Sequence, residues 1–221
     1  QRQLIGQGLI ESQLSSLRAQ MNPHFLFNVL NSVQGLIYSN QRNQASSLLG
    51  KLADLMRQVL DLSAQPQIAI KDEIKVLKAY VELEAARFEE DFHYDIRSSL
   101  SSDELEELIP SMIVQPFVEN AIKHGLLHKK GQKKLGIEFK KKSANRLIIS
   151  VQDNGIGRLE AARINAKRAR HNSFASKAIE ERIKLINKAR QSHQISLHIQ
   201  DLSQADGSAG GTMVELILEL K

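Results

Sequence analysis

The chain has 221 residues, 42% of them hydrophobic and 25% charged, with a formal net charge of +5. That is ordinary globular composition, with room for one large or two small domains, and it excludes a disordered chain. The absence of cysteine excludes disulfides and thiolate metal sites and makes a cytoplasmic setting the simpler expectation. No apolar run reaches the roughly 20 residues that span a bilayer and no signal peptide opens the sequence. Because it begins at Gln1, it reads as an excised cytoplasmic part of a longer protein.

From Leu4 to Ser39 the pattern is helical. Gly6 and Gly8 weaken its first turns by about 1 kcal/mol each against alanine. Leu14, Leu17 and Met21 recur at spacings of three and four, and His24 falls next on that stripe. Pro23 leaves the carbonyl of Ala19 without its helical partner, so a kink is expected there that carries His24 out of the packing seam. Phe25, Leu26, Val29, Leu30, Val33 and Leu36 restore an apolar face, with Asn22, Asn28 and Asn31 close to the imidazole. On position alone a helical histidine is more often a structural or surface residue.

After a polar break at Asn40–Asn43, Ala45, Leu48, Leu49, Leu52, Leu55, Met56, Val59 and Leu60 mark a second helix. Two amphipathic helices joined by a short turn make an antiparallel hairpin. A lone hairpin exposes so much apolar surface that pairing with a second copy into a four-helix bundle is the economical solution. Pro66 ends this unit, and Gln67–Ile70 alternates as a short strand or extended link. Asp72 and Glu73 favour the start of a third helix through its dipole. That helix runs to about Phe88 as linker, core element or both. His93–Leu100 reads as a strand and Ser101–Glu107 as an acidic loop.

Pro110 then precedes a helix with Met112, Ile113, Val114, Phe117, Val118 and Ile122 inward and Gln115, Glu119, Asn120, Lys123 and His124 at its polar end. Glu119–Lys123 and Asn120–His124 would be i,i+4 neighbours. The Asn120 carbonyl is a hard oxygen suited to Mg²⁺, and Lys123 is a point charge for phosphate. Alone, this cluster would be an exposed polar helix end. A hairpin signal at Lys142–Asn145 leads into the β-rich Leu147–Val151 and then Asp153-Asn154-Gly155-Ile156-Gly157. A carboxylate at a strand end followed by two glycines lets backbone approach a flat ligand, with Asp153 able to accept from an exocyclic amine. Arg158–Arg170 is polar, basic and partly helical by pattern, and Gln194–Gln200 and Thr212–Leu220 alternate as closing strands. No GxxxxGK[ST] stretch exists, which excludes a P-loop.

Charge is uneven. Residues 1–107 hold 10 Lys+Arg against 15 Asp+Glu, net −5, and residues 108–221 hold 20 against 10, net +10, which together give +5. The basic half is where an anion would bind. Its Lys129, Lys130, Lys133, Lys134, Lys140, Lys141 and Lys142 sit in polar, turn-like stretches without interleaved aromatics. That favours a solvated face or nucleotide steering over nucleic acid.

Asn22–Asn31, NPHFLFNVLN, resembles over every residue the phosphoacceptor motif of autolysin-sensor-type (LytS-like) histidine kinases, and YVELEAARF at 80–88 also recurs there. ENAIKH with DNGIG about 35 residues on resembles the nucleotide boxes of the gyrase, heat-shock-chaperone, histidine-kinase and mismatch-repair ATPases. The likeness runs from about Ser12 to Leu220. It implies a dimeric helical hairpin domain over 1–66 and an α/β sandwich of the Bergerat type over 67–221, with the boundary inside 63–107. It implies that His24 takes the γ-phosphoryl group of ATP, Asn120 binds Mg²⁺ and Asp153 binds adenine, helped by Lys123, His124, Gly155, Gly157, Arg182 and Thr212. Glu119 is the candidate for orienting His24 or taking its proton, because Phe25 stands where many histidine kinases carry a carboxylate.

The resemblance further implies a homodimer, a response-regulator receiver domain as phosphoryl acceptor, and a parent protein anchored in the plasma membrane by the missing sensor region. Arg158–Arg170 matches in position the family's lid over ATP, and His171–Asn187 resembles its lid-closing segment and following helix. Ala175 departs from that pattern, since relatives carry glycine after the phenylalanine. Two alternatives stay open: a degenerate nucleotide-binding switch without autokinase activity, and an ATPase clamp that hydrolyses ATP to close a dimer.

Overall fold

In the computed structural model, the structure describes residues 23–88, 91–167, 173–189, 194–203 and 209–220, and the side chains of 23–24, 165–167, 173–178 and 189 lie outside that description. The helical stripe through Leu14, Leu17 and Met21, the expected kink before Pro23 and the frayed turns at Gly6 and Gly8 fall outside the described residues.

Helix α1, Pro23–Tyr38, and helix α2, Arg42–Ser63, form the expected hairpin. Phe25, Val29 and Val33 face Ala45, Leu48, Leu52, Leu55 and Val59, all buried, because residues three and four apart share one face of a helix. The turn is set by Asn40 at φ 60°. Asn40 N donates to Ile37 O at 3.0 Å and Gln41 N to Leu36 O at 2.8 Å, a Schellman closure in which asparagine takes the left-handed place usually held by glycine.

Strand β1, Gln67–Ala69, pairs antiparallel with strand β3, Leu108–Pro110. Helix α3, Ile70–Phe88, follows β1 directly and packs against α1, α2 and β1 and against strand β2, Phe92–Ser98. Its Ile70, Val76, Leu77, Val81 and Leu83 are fully buried, each contributing on the order of 1.5–3 kcal/mol by burial. The helix is thus a core element in contact with the hairpin as well as with the sheet. Phe25 stacks on Tyr80 with ring centroids 4.9 Å apart.

Ser101–Glu107, expected to be an acidic loop, contains a helical turn α4, Ser102–Leu105. Ser101 and Glu104 form a capping box: Glu104 N donates to Ser101 Oγ at 3.4 Å and Ser101 N to Glu104 Oε2 at 2.8 Å. The helix expected directly after Pro110 starts later. Met112 adopts φ 54°, so Ser111–Val114 is a buried turn and helix α5 spans Gln115–Asn120 with Pro116 in its first turn. The ladder then widens into a π-helical turn, Ala121–Leu126, with Leu127 N donating to Ile122 O at 2.9 Å. The regular i,i+4 spacing expected for Asn120 and His124 therefore stops at Asn120.

Strands β4, Lys133–Ser143, β5, Arg146–Asp153, β6, Ile195–Ser203, and β7, Ala209–Glu219, complete a mixed five-stranded sheet in the order β2-β4-β5-β7-β6, with β2 parallel to β4 and the other pairs antiparallel. Phe139, Ile149, Leu216 and Leu197 lie across from one another on successive strands and form one row of the covered face. Helix α6, Gly157–Lys167, contacts β6 and β7, and helix α7, Ser173–Ala189, contacts β6. The arrangement is α+β, with helices against a mixed sheet. Among the described residues no helix is long and apolar enough to cross a membrane.

Candidate functional site

The antiparallel register sets Asp153, the last residue of β5, opposite Thr212 near the start of β7, so both arrive at the same end of the sheet. The Asp153 side chain is only 5% exposed. Its Oδ1 accepts from Gly155 N at 2.7 Å, and the Thr212 N–H also donates to the carboxylate. Burial outweighs these donors and the nearby Lys129, pushing the carboxyl up to about 6.

Glycines make this packing possible. A Cβ on Gly155 would lie 2.4 Å from the carbonyl carbon of Gly125, and one on Gly125 would lie 2.6 Å from Asp153 Oδ1. A Cβ on Gly211, at φ +113°, would meet the Asp153 carbonyl oxygen at 1.9 Å. Gly157 takes φ +75° where α6 begins, a conformation side chains rarely adopt. Ile156 N donates to Gly125 O at 3.2 Å, which ties the loop after β5 to the end of the π turn. Asn154 fixes the same loop from the other side: its Oδ1 accepts from Lys134 N at 2.8 Å and its Nδ2 donates to Gln132 O at 3.1 Å.

Gly125 and Gly211 are the residues sequence reasoning did not single out for contact with Asp153. The signal for Gly125 was present, since glycine directly follows ENAIKH. The π turn, which contacts β5, places Gly125 against Asp153.

Glu119 and Asn120 end α5 half-buried. Gln115 Nε2 donates to Glu119 Oε1 at 2.9 Å. Burial pushes the Glu119 carboxyl up to about 7, with Gln115 and Lys123 pulling down and Glu84 pushing up. His124 is held down at about 4 by burial, then by Lys123 and His128, so at neutral pH its imidazole is uncharged.

Arg182, assigned by resemblance to ATP, projects onto the turn before α5. It donates from Nη1 to Met112 O at 3.2 Å and from Nη2 to Ser111 O, with Glu73 beside it. The structure therefore groups Asp153, Gly155, Gly157 and Thr212 around the sheet end, puts Glu119, Asn120, Lys123 and His124 on the helix and turn that abut it, and takes Arg182 to the turn before α5. His24 is the second residue of α1, and its side chain lies outside the described residues, as does that of Ala175 in α7.

A family model described as histidine kinase matches residues 12–92. The chain is similar to the sensor protein LytS of Staphylococcus epidermidis, 36% identical over 159 residues that cover 71% of this chain and 26% of LytS. It is also similar to the sensor histidine kinase YpdA of Escherichia coli, 34% identical over 180 residues, covering 80% of this chain and 31% of YpdA. The chain thus spans about a quarter to a third of the curated relatives it matches. Among solved structures, the histidine kinase domain of the blue-light activated histidine kinase of Erythrobacter litoralis shares the fold, with a TM-score of 0.52 at 12% identity, covering 96% of this chain and 93% of that one.

Proposed function

We propose that this chain is the catalytic core of a LytS-like sensor histidine kinase, transferring the γ-phosphoryl group of ATP to His24. The observation that carries the reading is the buried Asp153 carboxylate, walled by Gly125, Gly155 and Gly211, in a chain that also bears NPHFLFN. A buried acceptor among residues without side chains fits a flat base bearing an exocyclic amine, and the half-buried Asn120 offers the oxygen donor that Mg²⁺ accepts.

In this reading Asp153 accepts from the adenine amine while Gly155, Gly157 and Thr212 shape the rim. Asn120 would hold Mg²⁺, which when bound neutralises charge on the triphosphate. Lys123 adds a point charge to the phosphates, and neutral His124 offers a hydrogen bond rather than charge. A neutral His24 imidazole attacks the γ-phosphorus in line: the N–P bond forms, the P–O bond to ADP breaks, and the imidazole proton leaves. Glu119, with its carboxyl near 7 and its oxygen fixed by Gln115, is matched to take that proton near neutral pH. Phosphoryl transfer of this kind depends chiefly on positioning and charge neutralisation.

Residues 1–66 act as the dimerisation and phosphoacceptor unit and 67–221 as the nucleotide-binding unit. The outward face of the hairpin supports the first assignment. Phe27 is 66% exposed, and Leu30, Leu49 and Leu60 are exposed with it, a cost that a second copy relieves by completing a four-helix bundle. A response-regulator aspartate then receives the phosphoryl group, and the longer parent protein carries the sensor that anchors it in the membrane. The basic lysines of the β4 region steer nucleotide, not nucleic acid.

The test is incubation of the chain and of His24→Ala with Mg²⁺ and γ-labelled ATP. Acid-labile, alkali-stable label present in the first and lost in the second is the expected result. Steady phosphate release without a labelled protein would instead identify an ATPase clamp, and nucleotide binding with neither product a degenerate switch.

A further inference from the structure

The turn Ser111–Val114 is held from three sides. Glu73, at 1% exposure the most buried charged residue described, accepts from Met112 N at 2.8 Å and Val114 N at 2.9 Å, and the Gln115 N–H also donates to it. Arg182 of α7 grips the opposite polarity of the same turn through the carbonyls of Ser111 and Met112. Ser111 itself is buried and reaches away from both. Its Oγ donates to Leu62 O at 2.8 Å, and its N–H donates to Pro66 O at 3.4 Å. Leu62 lies in the last turn of α2, and its carbonyl also accepts from Gln65 N at 3.1 Å, so a residue of the nucleotide half adds a further donor where the phosphoacceptor hairpin ends.

This clamp has features that helix capping alone does not need. Met112 is held at φ 54°, a conformation unfavourable for a residue with a Cβ, and it persists only because the surroundings over-determine it. A buried carboxylate and a guanidinium that bond to opposite backbone groups of one turn cost desolvation but fix a single geometry. The turn feeds directly into α5, which ends on Glu119 and Asn120, and α7 is the helix that follows the segment matching the nucleotide lid. The hairpin, α7 and the nucleotide helix therefore meet at the Ser111–Val114 turn.

We propose that Ser111 is a positioning residue for phosphoryl transfer: held by Glu73 and Arg182, its hydroxyl latches the end of the phosphoacceptor hairpin to the turn that launches the nucleotide helix. The latch fixes how the hairpin presents the phosphoacceptor to bound nucleotide. It rests on the kinase reading above and assigns Arg182 to the turn.

The experiment compares the whole chain with Ser111→Ala and Ser111→Thr in single-turnover labelling of His24 at saturating ATP, alongside the Kd of a non-hydrolysable ATP analogue. Ser111→Ala should slow labelling roughly three- to tenfold, the range expected for one lost hydrogen bond. The analogue's Kd should stay unchanged and Ser111→Thr should restore the rate. Arg182→Lys, which keeps the charge and loses the fork, should slow labelling without further loss when combined with Ser111→Ala, because both act through one turn. Equal rates in Ser111→Ala and the parent chain, a parallel loss of nucleotide affinity, or additive effects of the two substitutions would each overturn the proposal. A parent chain that binds nucleotide yet never labels His24 sinks the kinase reading itself, and this latch with it.

Discussion

Gly125→Ala is the substitution whose effect the geometry fixes most closely. The added Cβ would stand 2.6 Å from Asp153 Oδ1 and 3.0 Å from its carboxyl carbon. Relief to an ordinary contact near 3.4 Å requires a movement of about 0.8 Å in a packed interior that has little slack. A carboxylate shift of that size takes the 2.7 Å bond from Gly155 N to the edge of hydrogen-bond range. Losing a bond to an ionised acceptor costs about 1.5–3 kcal/mol, which converts to roughly a 10- to 150-fold loss of nucleotide affinity. Titration with a fluorescent ATP analogue measures it, and circular dichroism confirms that the variant is folded. Gly136, with open space around its Cβ position, supplies the control: Gly136→Ala should bind normally. Wild-type affinity in Gly125→Ala would refute the assignment of this crevice to nucleotide.

The Asp153 carboxyl is raised from 3.8 to about 6, so between those values the folded chain binds more protons than the unfolded one. Its contribution to stability is complete below about pH 4, is lost as pH rises through 6, and amounts to about 3 kcal/mol. Urea unfolding from pH 4 to 7 should show that decline in the wild type and a flatter profile in Asp153→Asn. Replacing Phe27 and Leu30 together with glutamate should convert a sedimenting dimer into a monomer, and an unchanged dimer would remove the bundle from the account. Ser101→Ala removes the capping box and should cost about 1 kcal/mol, seen as a fall of roughly 2–4 °C in Tm.

The elements that sequence made legible are those whose periodicity has one structural solution. The three- and four-residue spacing through Ala45–Leu60 fits only a helix with one buried face, and the Asp153 strand end is announced by a β-branched run that stops at glycines. The turn at Ser111–Val114 was hidden because its Met112, Ile113 and Val114 continue the apolar run of α5. What breaks the helix there is Glu73, about 40 residues earlier, accepting the turn's N–H groups. Glu73 in turn looked like an ordinary acidic first-turn residue, and its inward role depends on β1 pairing with β3. The contact of Arg182 with this turn was hidden for a related reason, since resemblance gives a residue's neighbours in sequence but not which way its guanidinium points. The capping box at Ser101–Glu104 was readable from the Ser-x-x-Glu spacing, and the acidic character of the segment obscured it.

Localising the phosphoryl group by mass spectrometry at neutral pH, after brief incubation with Mg²⁺ and ATP, tests the central claim most directly. The account predicts one added phosphoryl group on the peptide containing His24, absent when Asp153→Ala is used in place of the parent chain. Released phosphate with an unmodified His24 peptide, or phosphorylation at another residue, would contradict it.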